Sequence, residues 1–533
     1  MFSKHVQTYR GLLRELKKSS LPPHKINPAL SSNFRRLAEQ ARCSEIILND
    51  LRNALIFMAS QREHKVLLDR YNPLVDLTAE ERIHATARRV GLDMPITHES
   101  GNNKRMIGAQ QSTTMRAVFH PATTIRTQGR RVVTMLSTQV LDCDPTSISF
   151  DSTTSEPKIT SQDTLNSLSI AAKTLTDLQP VAFPTETVYG LGALALNSSA
   201  ASRIFSVKGR PPDNPLIVHV SSLDMLYGLL PSSFQMPKSY DLLIERFWPG
   251  ALTLLFPSDP NTIPPIITAN QPTVAIRMPS HPVARALIAL VNAPIAAPSA
   301  NSSGKPSPTT AEHVRRDLGG KLSVILDGGA CSVGLESTVV DGLQEDGNIR
   351  VLRPGGITVE DIQELLREKI QDPKLLPQVL VHRRDYRDEQ LEAAPTTPGM
   401  KYRHYSPTAP VILITTTSPP ENVVPSNVGS FLLSIKEEIQ PSASVKIGLL
   451  TLTDSKLGTL VLPVVDGVEW CRYELGPVDD PSVTARRLFD GLLTLDQRGV
   501  ELILIEEVND TNEGLAIMNR VRKAASEVRW ITF

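Results

Sequence analysis

Residues 181–190, Val-Ala-Phe-Pro-Thr-Glu-Thr-Val-Tyr-Gly, run from an apolar segment through a proline into a polar turn. A short apolar run with such boundaries is typical of a buried strand. Further segments of this kind follow, separated by stretches with helical spacing. They are Leu216–Val218, Thr253–Phe256, Val274–Ile276, Ile295–Ala297, Val324–Leu326 and Ser337–Val340. Strands that alternate with helices in this way predict an α/β sheet domain.

The chain on either side of this domain has a different pattern. Residues 1–95 have apolar residues at helical spacing and predict a small all-α module, in which Thr78–Glu81 resembles a capping box. Residues beyond 408 contain three apolar strand segments and one amphipathic helix, which predicts a smaller β-α-β domain. The predicted order is a helical module at 1–95, a disordered linker at 96–134, the main domain at 135–370, a linker or lid at 371–407 and a C-terminal α/β domain at 408–533.

Composition excludes several classes of protein. In 533 residues no stretch approaches the roughly 20 consecutive apolar residues that a membrane-spanning helix needs, so we expect no membrane span. The four cysteines are scattered and form no C-x-x-C pair, which argues against a disulfide framework or a zinc site and favours a reducing compartment. Charge is uneven: residues 1–134 hold 22 Lys and Arg against 11 Asp and Glu, and the remainder holds 34 against 45.

Polar side chains follow several of the predicted strands. Thr185, Glu186 and Thr187 come directly after the first strand, either to contact a ligand or to cap the next helix. Lys208 and Arg210 stand two residues apart in a proline-rich loop, where they can bind a polyphosphate or form a solvated basic surface.

Further candidates lie at the ends of later strands. His219 is either a ligand contact or a core histidine with satisfied hydrogen bonds. Arg277 can hold a carboxylate through two hydrogen bonds or form an ion pair at the sheet edge. Residues 296–307 are rich in small and hydroxyl side chains, but they lack the glycine and Ser/Thr positions of a phosphate-binding P-loop. A hydroxyl side chain precedes the predicted strand in residues 334–341, and an arginine follows the apolar segment in residues 351–356.

Taken together, these segments resemble the threonylcarbamoyl-AMP synthase family, the YrdC-like proteins. The motifs are FPTETVYGLGA, KGRPPDNPLIVH, FWPGALTL, TVAIRMPSHPVA, PIAAPSANSSGKPSPTTA, ESTVVD and LRPGG, in that order between residues 180 and 357. APTTPGMKYRHYSP and the residues after it resemble the longer, two-domain form, so the resemblance extends over residues 135–533. It implies a YrdC-like twisted mixed sheet for the main domain.

The resemblance implies an activity and its site. L-threonine, bicarbonate and ATP would give threonylcarbamoyl-AMP and pyrophosphate, for modification of the adenosine beside the anticodon of ANN-decoding tRNAs. Threonine would be bound by Thr185, His219, Arg277, Ala297 and Ser337. ATP would be bound by Lys208, Arg210, Thr273, Ser299, Ser307, Arg353 and Tyr402, with Lys208 and Arg210 as the catalytic cations. Magnesium would enter with ATP, with no prosthetic group and no protein metal site, and a tRNA threonylcarbamoyl transferase complex would accept the product.

The expected chemistry needs no covalent nucleophile, and the sequence has no obvious nucleophile with a paired base. The threonine amine would capture carbon dioxide, and the carbamate would attack the α-phosphorus of ATP while cations stabilise the departing pyrophosphate. Positioning and electrostatics would therefore dominate catalysis.

Residues 1–95 resemble a second family, the LYR-related mitochondrial complex assembly factors. Thr8-Tyr9-Arg10 and residues 71–91 carry this resemblance, although Thr8 stands where the family signature has leucine. It implies a mitochondrial assembly partner for this module. Because Met135 precedes the strand-rich part, the chain is either a bifunctional fusion or two neighbouring coding sequences joined as one. We expect a cytoplasmic protein, and a mitochondrial one if the module belongs to the mature chain.

A non-catalytic module that binds RNA, including double-stranded RNA, is the alternative function. Such a surface would require a basic domain with interleaved aromatic residues. Residues 135–533 instead carry a net charge of −11, which favours the enzyme.

Overall fold

The structure, a computed structural model, describes residues 137–533 except 212, 387, 389–403, 418, 421–422 and 440–443. The helical module and the first linker predicted for residues 1–134 lie outside the described residues. By its contacts the chain divides into two compact units, Met1–Thr127 and Gln128–Phe533. The α/β domains both belong to the second unit.

The main domain is built on a mixed sheet of eleven described strands, with the order β1-β10-β4-β5-β9-β6-β8-β7-β11-β12-β13. Their bounds are β1 Gln139–Asp142, β4 Val181–Phe183, β5 Gly190–Leu194, β6 Ile217–His219, β7 Leu252–Pro257, β8 Thr273–Arg277, β9 Ile295–Ala296, β10 Val324–Asp327, β11 Thr338–Asp341, β12 Ile349–Arg353 and β13 Val379–Val381. A separate hairpin joins β2 (Ile148–Phe150) to β3 (Pro157–Ile159). Every strand predicted from the sequence in this domain is present.

Both faces of this sheet are buried, because neighbouring residues of one strand belong to different apolar clusters. Val181 and Phe183 pack in one cluster, and Ala182 between them packs in another. Side chains alternate between the two faces of a strand, so helices must cover both sides. They are α1 Gln162–Thr176, α2 Ser198–Lys208, α3 Leu223–Tyr227, α4 Lys238–Phe247, α5 Pro265–Thr268, α6 Pro282–Val291, α7 Ala311–Leu318 and α8 Val359–Lys369.

Capping side chains set where several of these helices begin. Ser161, Asn197 and Thr310 each accept a hydrogen bond from a backbone N–H in the first turn of α1, α2 and α7. Thr358 and Asp361 form a full capping box at the start of α8.

The boundary predicted at residue 370 is corrected by the structure. Val379–Val381 forms β13, which pairs in parallel with β12 and extends the sheet of the main domain. A bridge between His382 and Tyr386 continues this region. The sequence predicted a linker at residues 371–386 because they contain charged runs, and the apolar segment that forms β13 is only three residues long.

The C-terminal domain has a second, six-stranded sheet with the order β15-β19-β14-β18-β16-β17. The sheet is parallel throughout its described pairs, as expected for strands joined by helices. Its strands are β14 Val411–Thr415, β15 Ser426–Asn427, β16 Val445–Leu452, β17 Val468–Gly476, β18 Leu502–Glu506 and β19 Glu527–Thr532, and its helices are α9 Val428–Ile439, α10 Pro481–Gln497 and α11 Glu513–Ala524.

Candidate active site

One cavity is lined by residues from strands of the main sheet and from the loops beside them. All five residues predicted to bind threonine line it, together with three of those predicted to bind ATP. The threonine set is Thr185, His219, Arg277, Ala297 and Ser337, and the ATP set is Arg210, Ser299 and Arg353.

The sheet places two of these side chains next to each other. Strands β6 and β8 are parallel neighbours, and His219 is paired in register with Arg277 at their carboxyl ends. On the other side of β8, Thr253 of β7 is the partner of Arg277. Polar groups at the carboxyl ends of strands are in the position where ligands usually bind in α/β sheets.

Arg277 is buried and makes hydrogen bonds through all three of its nitrogens. Nε donates to the carbonyl of Gly250 at 3.2 Å, Nη1 donates to Thr187 Oγ1 at 2.8 Å, and Nη2 donates to Glu186. The second oxygen of Glu186 accepts from the backbone N–H of Ser280 at 3.1 Å. The guanidinium is thus held in one orientation at the wall of the cavity.

His219 is a neutral imidazole with a defined hydrogen-bond role. Burial and the neighbouring charge of Arg277 lower the pKa of His219 to about 3. Its Nδ1 lies 3.1 Å from the carbonyl oxygen of Ile217, so Nδ1 carries the proton and donates it there. With the proton on Nδ1, Nε2 of the neutral ring carries a lone pair and no proton.

The hydroxyl groups of the site are also oriented by neighbouring groups. Thr185 Oγ1 donates to the carbonyl of Val188 at 2.6 Å, within the turn after β4. Ser337 Oγ lies 2.7 Å from Thr253 Oγ1. Arg353 Nη2 donates to the Ser337 carbonyl at 3.0 Å, which connects the threonine set to the ATP set.

The remaining residues predicted to bind ATP lie elsewhere. Thr273 is at the start of β8, four residues before Arg277 and roughly 13 Å from it along the strand. Lys208 is buried and its Nζ donates to the carbonyls of Ser299 and Asn301, so it holds the loop that carries Ser299. Ser307 Oγ donates a hydrogen bond to Glu336, which lines the cavity. Tyr402 lies outside the described residues.

Several further lining residues were not predicted as ligands, and three of them, Glu336, His404 and Tyr405, carry ionisable side chains. Tyr405 is buried, and its ring packs on Phe489 of the C-terminal domain with a centroid separation of 5.3 Å. Burial lowers the pKa of His404 to about 3, so its imidazole is neutral. The second linker therefore ends against the cavity, and the aromatic and basic run at 401–405 was the signal for this in the sequence.

The cavity has a positive balance among its described lining residues. The lining contains three cationic side chains, Arg210, Arg277 and Arg353, and one carboxylate, Glu336. Burial lowers the pKa of Arg210 to about 10, which leaves it charged at neutral pH. Such a site suits a ligand with several negative charges, such as a carboxylate together with phosphates.

Comparison with known proteins shows which family the chain belongs to. Residues 173–355 match the Sua5, YciO and YrdC family model described as Telomere recombination, and residues 357–526 match a model described as Threonylcarbamoyl-AMP synthase, C-terminal domain. The threonylcarbamoyl-AMP synthase of Schizosaccharomyces pombe is 42% identical over 426 residues, which cover 74% of this chain and 98% of the relative. The chain belongs to the threonylcarbamoyl-AMP synthase family.

Other members of the threonylcarbamoyl-AMP synthase family are similarly related. The enzyme of Pyrococcus abyssi is 42% identical over 356 residues, which cover 67% of this chain and 93% of the relative. The crystal structure of P. abyssi Sua5 complexed with L-threonine aligns with a TM-score of 0.57 and 36% identity, covering 74% of this chain and all of that one. The predicted α/β fold with two domains is thereby confirmed, and the chain is a nucleotidyltransferase of this family.

Residues 5–93 match a model described as Complex1_LYR-like, as the sequence predicted. Among the described residues of this threonylcarbamoyl-AMP synthase family member, no helix is both long and apolar enough to cross a membrane. The described part also has no group of three or more His, Cys, Asp and Glu side chains arranged to hold a metal ion.

Proposed function

We propose that this protein synthesises threonylcarbamoyl-AMP from L-threonine, bicarbonate and ATP, with release of pyrophosphate. The observation that carries the proposal is the meeting of all five predicted threonine ligands with Arg210, Ser299 and Arg353 in one cavity. Both substrates must be bound side by side for the chemistry, because the carbamate formed on the threonine amine has to reach the α-phosphorus of ATP.

In the proposed complex, threonine lies against the carboxyl ends of the neighbouring strands β6 and β8. The guanidinium of Arg277 faces the threonine carboxylate, and Glu186 and Thr187 keep it oriented. His219 Nε2 accepts a hydrogen bond from the amine or the hydroxyl of threonine, which a protonated histidine could not do. The Ala297 backbone and Ser337 complete this part of the cavity.

The reaction then proceeds by two bond-forming steps. Bicarbonate gives up hydroxide to form carbon dioxide, and the hydroxide takes one proton from the threonine ammonium and leaves as water. The neutral amine attacks the carbon dioxide and loses a second proton to solvent, and a carbamate results. A carbamate oxygen attacks the α-phosphorus, and the bond to the β-phosphate breaks to release pyrophosphate. Arg210 and Arg353 stabilise the charge that develops on the phosphates, and this electrostatic effect is the main contribution of the protein.

Magnesium enters in the proposed reaction as part of MgATP. Glu336 is the one carboxylate among the described lining residues, and its two oxygens already contact Ser307 and Arg520. This donor set fits a cation that is carried by the phosphates, with few or no ligands from the protein.

The product is an unstable mixed anhydride, so it must pass to an acceptor soon after release. We propose that a tRNA threonylcarbamoyl transferase complex accepts it for tRNA modification in the cytoplasm. The module at residues 1–95 would be a fused assembly factor with a mitochondrial partner, and a mitochondrial location would follow for any chain that keeps it.

A pyrophosphate-release assay with the purified chain tests the proposed function. We expect release from ATP only when threonine and bicarbonate are both present, and none when either is omitted. Release at the same rate without threonine would mean that the cavity supports a different reaction.

A further inference from the structure

The C-terminal domain packs against segments of the main domain that border the cavity. Gly334 has a φ of +79° and lies so close to α10 that a Cβ atom there would be 2.4 Å from Cα of Arg486. Leu335 and Val188, both from segments that line or flank the cavity, are buried in the apolar core of the C-terminal domain. The loop before β11 is therefore shaped by contacts with the other domain.

Arg520 of α11 makes the polar part of this contact. It is fully buried, although arginine is rarely so without a partner. Its Nε and Nη2 lie 3.1 Å and 3.0 Å from Oε2 of Glu336, and its Nη1 donates to the carbonyl of Pro354. One side chain of the C-terminal domain thus contacts two loops of the main domain.

Both contacts lead to residues predicted to bind ATP. The second oxygen of Glu336, Oε1, accepts a hydrogen bond from Ser307 Oγ at 2.6 Å. Pro354 directly follows Arg353, which lines the cavity. Arg520 does not itself line the cavity, so any effect on the nucleotide must pass through these neighbours.

Charge gives Arg520 a second role. Burial alone would raise the pKa of Glu336, but Arg520 and Arg353 hold it at about 2, so Glu336 is an anion. An anion in the wall of the cavity repels phosphates unless a cation offsets it. Arg520 is such a cation, and it contacts Glu336 from outside the described lining of the cavity.

We propose that Arg520 is a positioning residue for ATP. It holds Glu336, and through it Ser307, in the arrangement that accepts the triphosphate, so the C-terminal domain takes part in nucleotide binding. This inference rests on the proposed function.

The test compares Arg520→Met with Arg522→Met, a control on the same helix whose exposed side chain pairs with Asp510. Pyrophosphate release is measured against ATP concentration, threonine affinity is measured by calorimetry, and thermal unfolding checks the fold. We expect the KM for ATP to rise at least about tenfold in Arg520→Met, because small misplacements of binding groups have effects of this size. Threonine affinity should change less than about twofold, and the control should match the natural chain.

A double-mutant cycle separates positioning from general stability. If Arg520 acts through Glu336, each of the single variants Glu336→Gln and Arg520→Met should raise the KM for ATP. The double variant should then have a KM for ATP no higher than that of the more affected single variant. Arg520→Lys, which keeps the charge, should recover part of the affinity. Equal effects on ATP and threonine, additive effects in the cycle, or a folded Arg520→Met protein with unchanged KM would each overturn the proposal.

The proposal can still be tested if Arg520→Met does not fold. The Glu336→Gln and Ser307→Ala variants then carry the test: a shared, non-additive rise in the KM for ATP supports the proposal, and folded variants with normal KM overturn it. Activity of the natural chain is measured first, so its absence would count against the proposed function. Calorimetric binding of a non-hydrolysable ATP analogue would then still test the role of Arg520.

Discussion

Arg277 and Glu186 form a buried ion pair between the end of β8 and the turn after β4. The side chain predicted to bind the threonine carboxylate is therefore oriented before any ligand arrives. A binding group that is already ordered loses little conformational entropy when the ligand binds. The pair also explains why a carboxylate stands in a turn that otherwise carries hydroxyl groups.

Replacing Arg277 should affect threonine far more than ATP. In Arg277→Ala the threonine carboxylate loses its partner, and Glu186 is left buried without one, so we expect threonine binding to weaken by about 2–5 kcal/mol. Calorimetry with threonine and with an ATP analogue measures both affinities, with Arg246→Ala on an exposed face of α4 as the matched control. Equal weakening of the two ligands would contradict the assignment of Arg277.

Replacing Lys208 should have the opposite selectivity. Its Nζ donates to the carbonyls of Ser299 and Asn301, so Lys208→Ala should loosen the loop that carries Ser299 and raise the KM for ATP. Threonine affinity, measured by calorimetry, should stay nearly unchanged. A selective loss of threonine affinity would show that the roles of the two loops are reversed.

Much of the fold could be predicted because its strands are short apolar runs with clear boundaries. Strand β5 was missed, since Gly190-Leu-Gly-Ala-Leu194 has two glycines and no β-branched residue. The structure gives the reason for one of them: a Cβ at Gly192 would be 2.5 Å from the ring of Phe183. Tertiary packing, which a local pattern does not contain, decides this strand.

The site could be predicted as a set of residues but not as a set of contacts. The five residues predicted to bind threonine came from the motifs, and all five line one cavity. Glu336 was passed over because its partner, Arg520, is 184 residues away on a helix of another domain. No spacing within a motif indicates such a pair, and only the packing of α11 against the main domain creates it.

The segment before Tyr405 should act as a lid over the nucleotide. His404 and Tyr405 line the cavity, and Tyr402 lies three residues earlier in the same linker. Exclusion of water protects both ATP and the acyl-adenylate, so Tyr402→Ala should raise the amount of ATP hydrolysed per threonylcarbamoyl-AMP formed. Proteolysis between residues 385 and 407 should slow when ATP and threonine are both present. Unchanged coupling together with unchanged cleavage would show that the segment is only a tether.

Stability should depend on pH through His219. Its pKa is lowered by burial and by Arg277 to about 3, against about 6.5 in an unfolded chain. Between these values the unfolded state binds one more proton, so the free energy of unfolding rises with pH, by up to about 1.4 kcal/mol per pH unit for this group. The contribution is complete above about pH 6.5 and is lost as the pH falls towards 3.

Urea unfolding at pH 7, 6 and 5 measures this dependence. In His219→Gln the slope between pH 6 and 5 should be smaller than in the natural chain by close to one proton, because glutamine does not titrate. Identical slopes in the two proteins would mean that His219 is protonated in the folded state and cannot accept a hydrogen bond from threonine.

The incorporation of isotope-labelled bicarbonate tests the central claim most directly. The purified chain is incubated with labelled bicarbonate, threonine and MgATP, and the nucleotide products are separated and identified by mass spectrometry. We predict a labelled threonylcarbamoyl-AMP that forms in equal amount with pyrophosphate and is strongly reduced when Arg277 is replaced by alanine. Pyrophosphate and AMP without a labelled adenylate, or a threonyl-adenylate that lacks the label, would contradict the account.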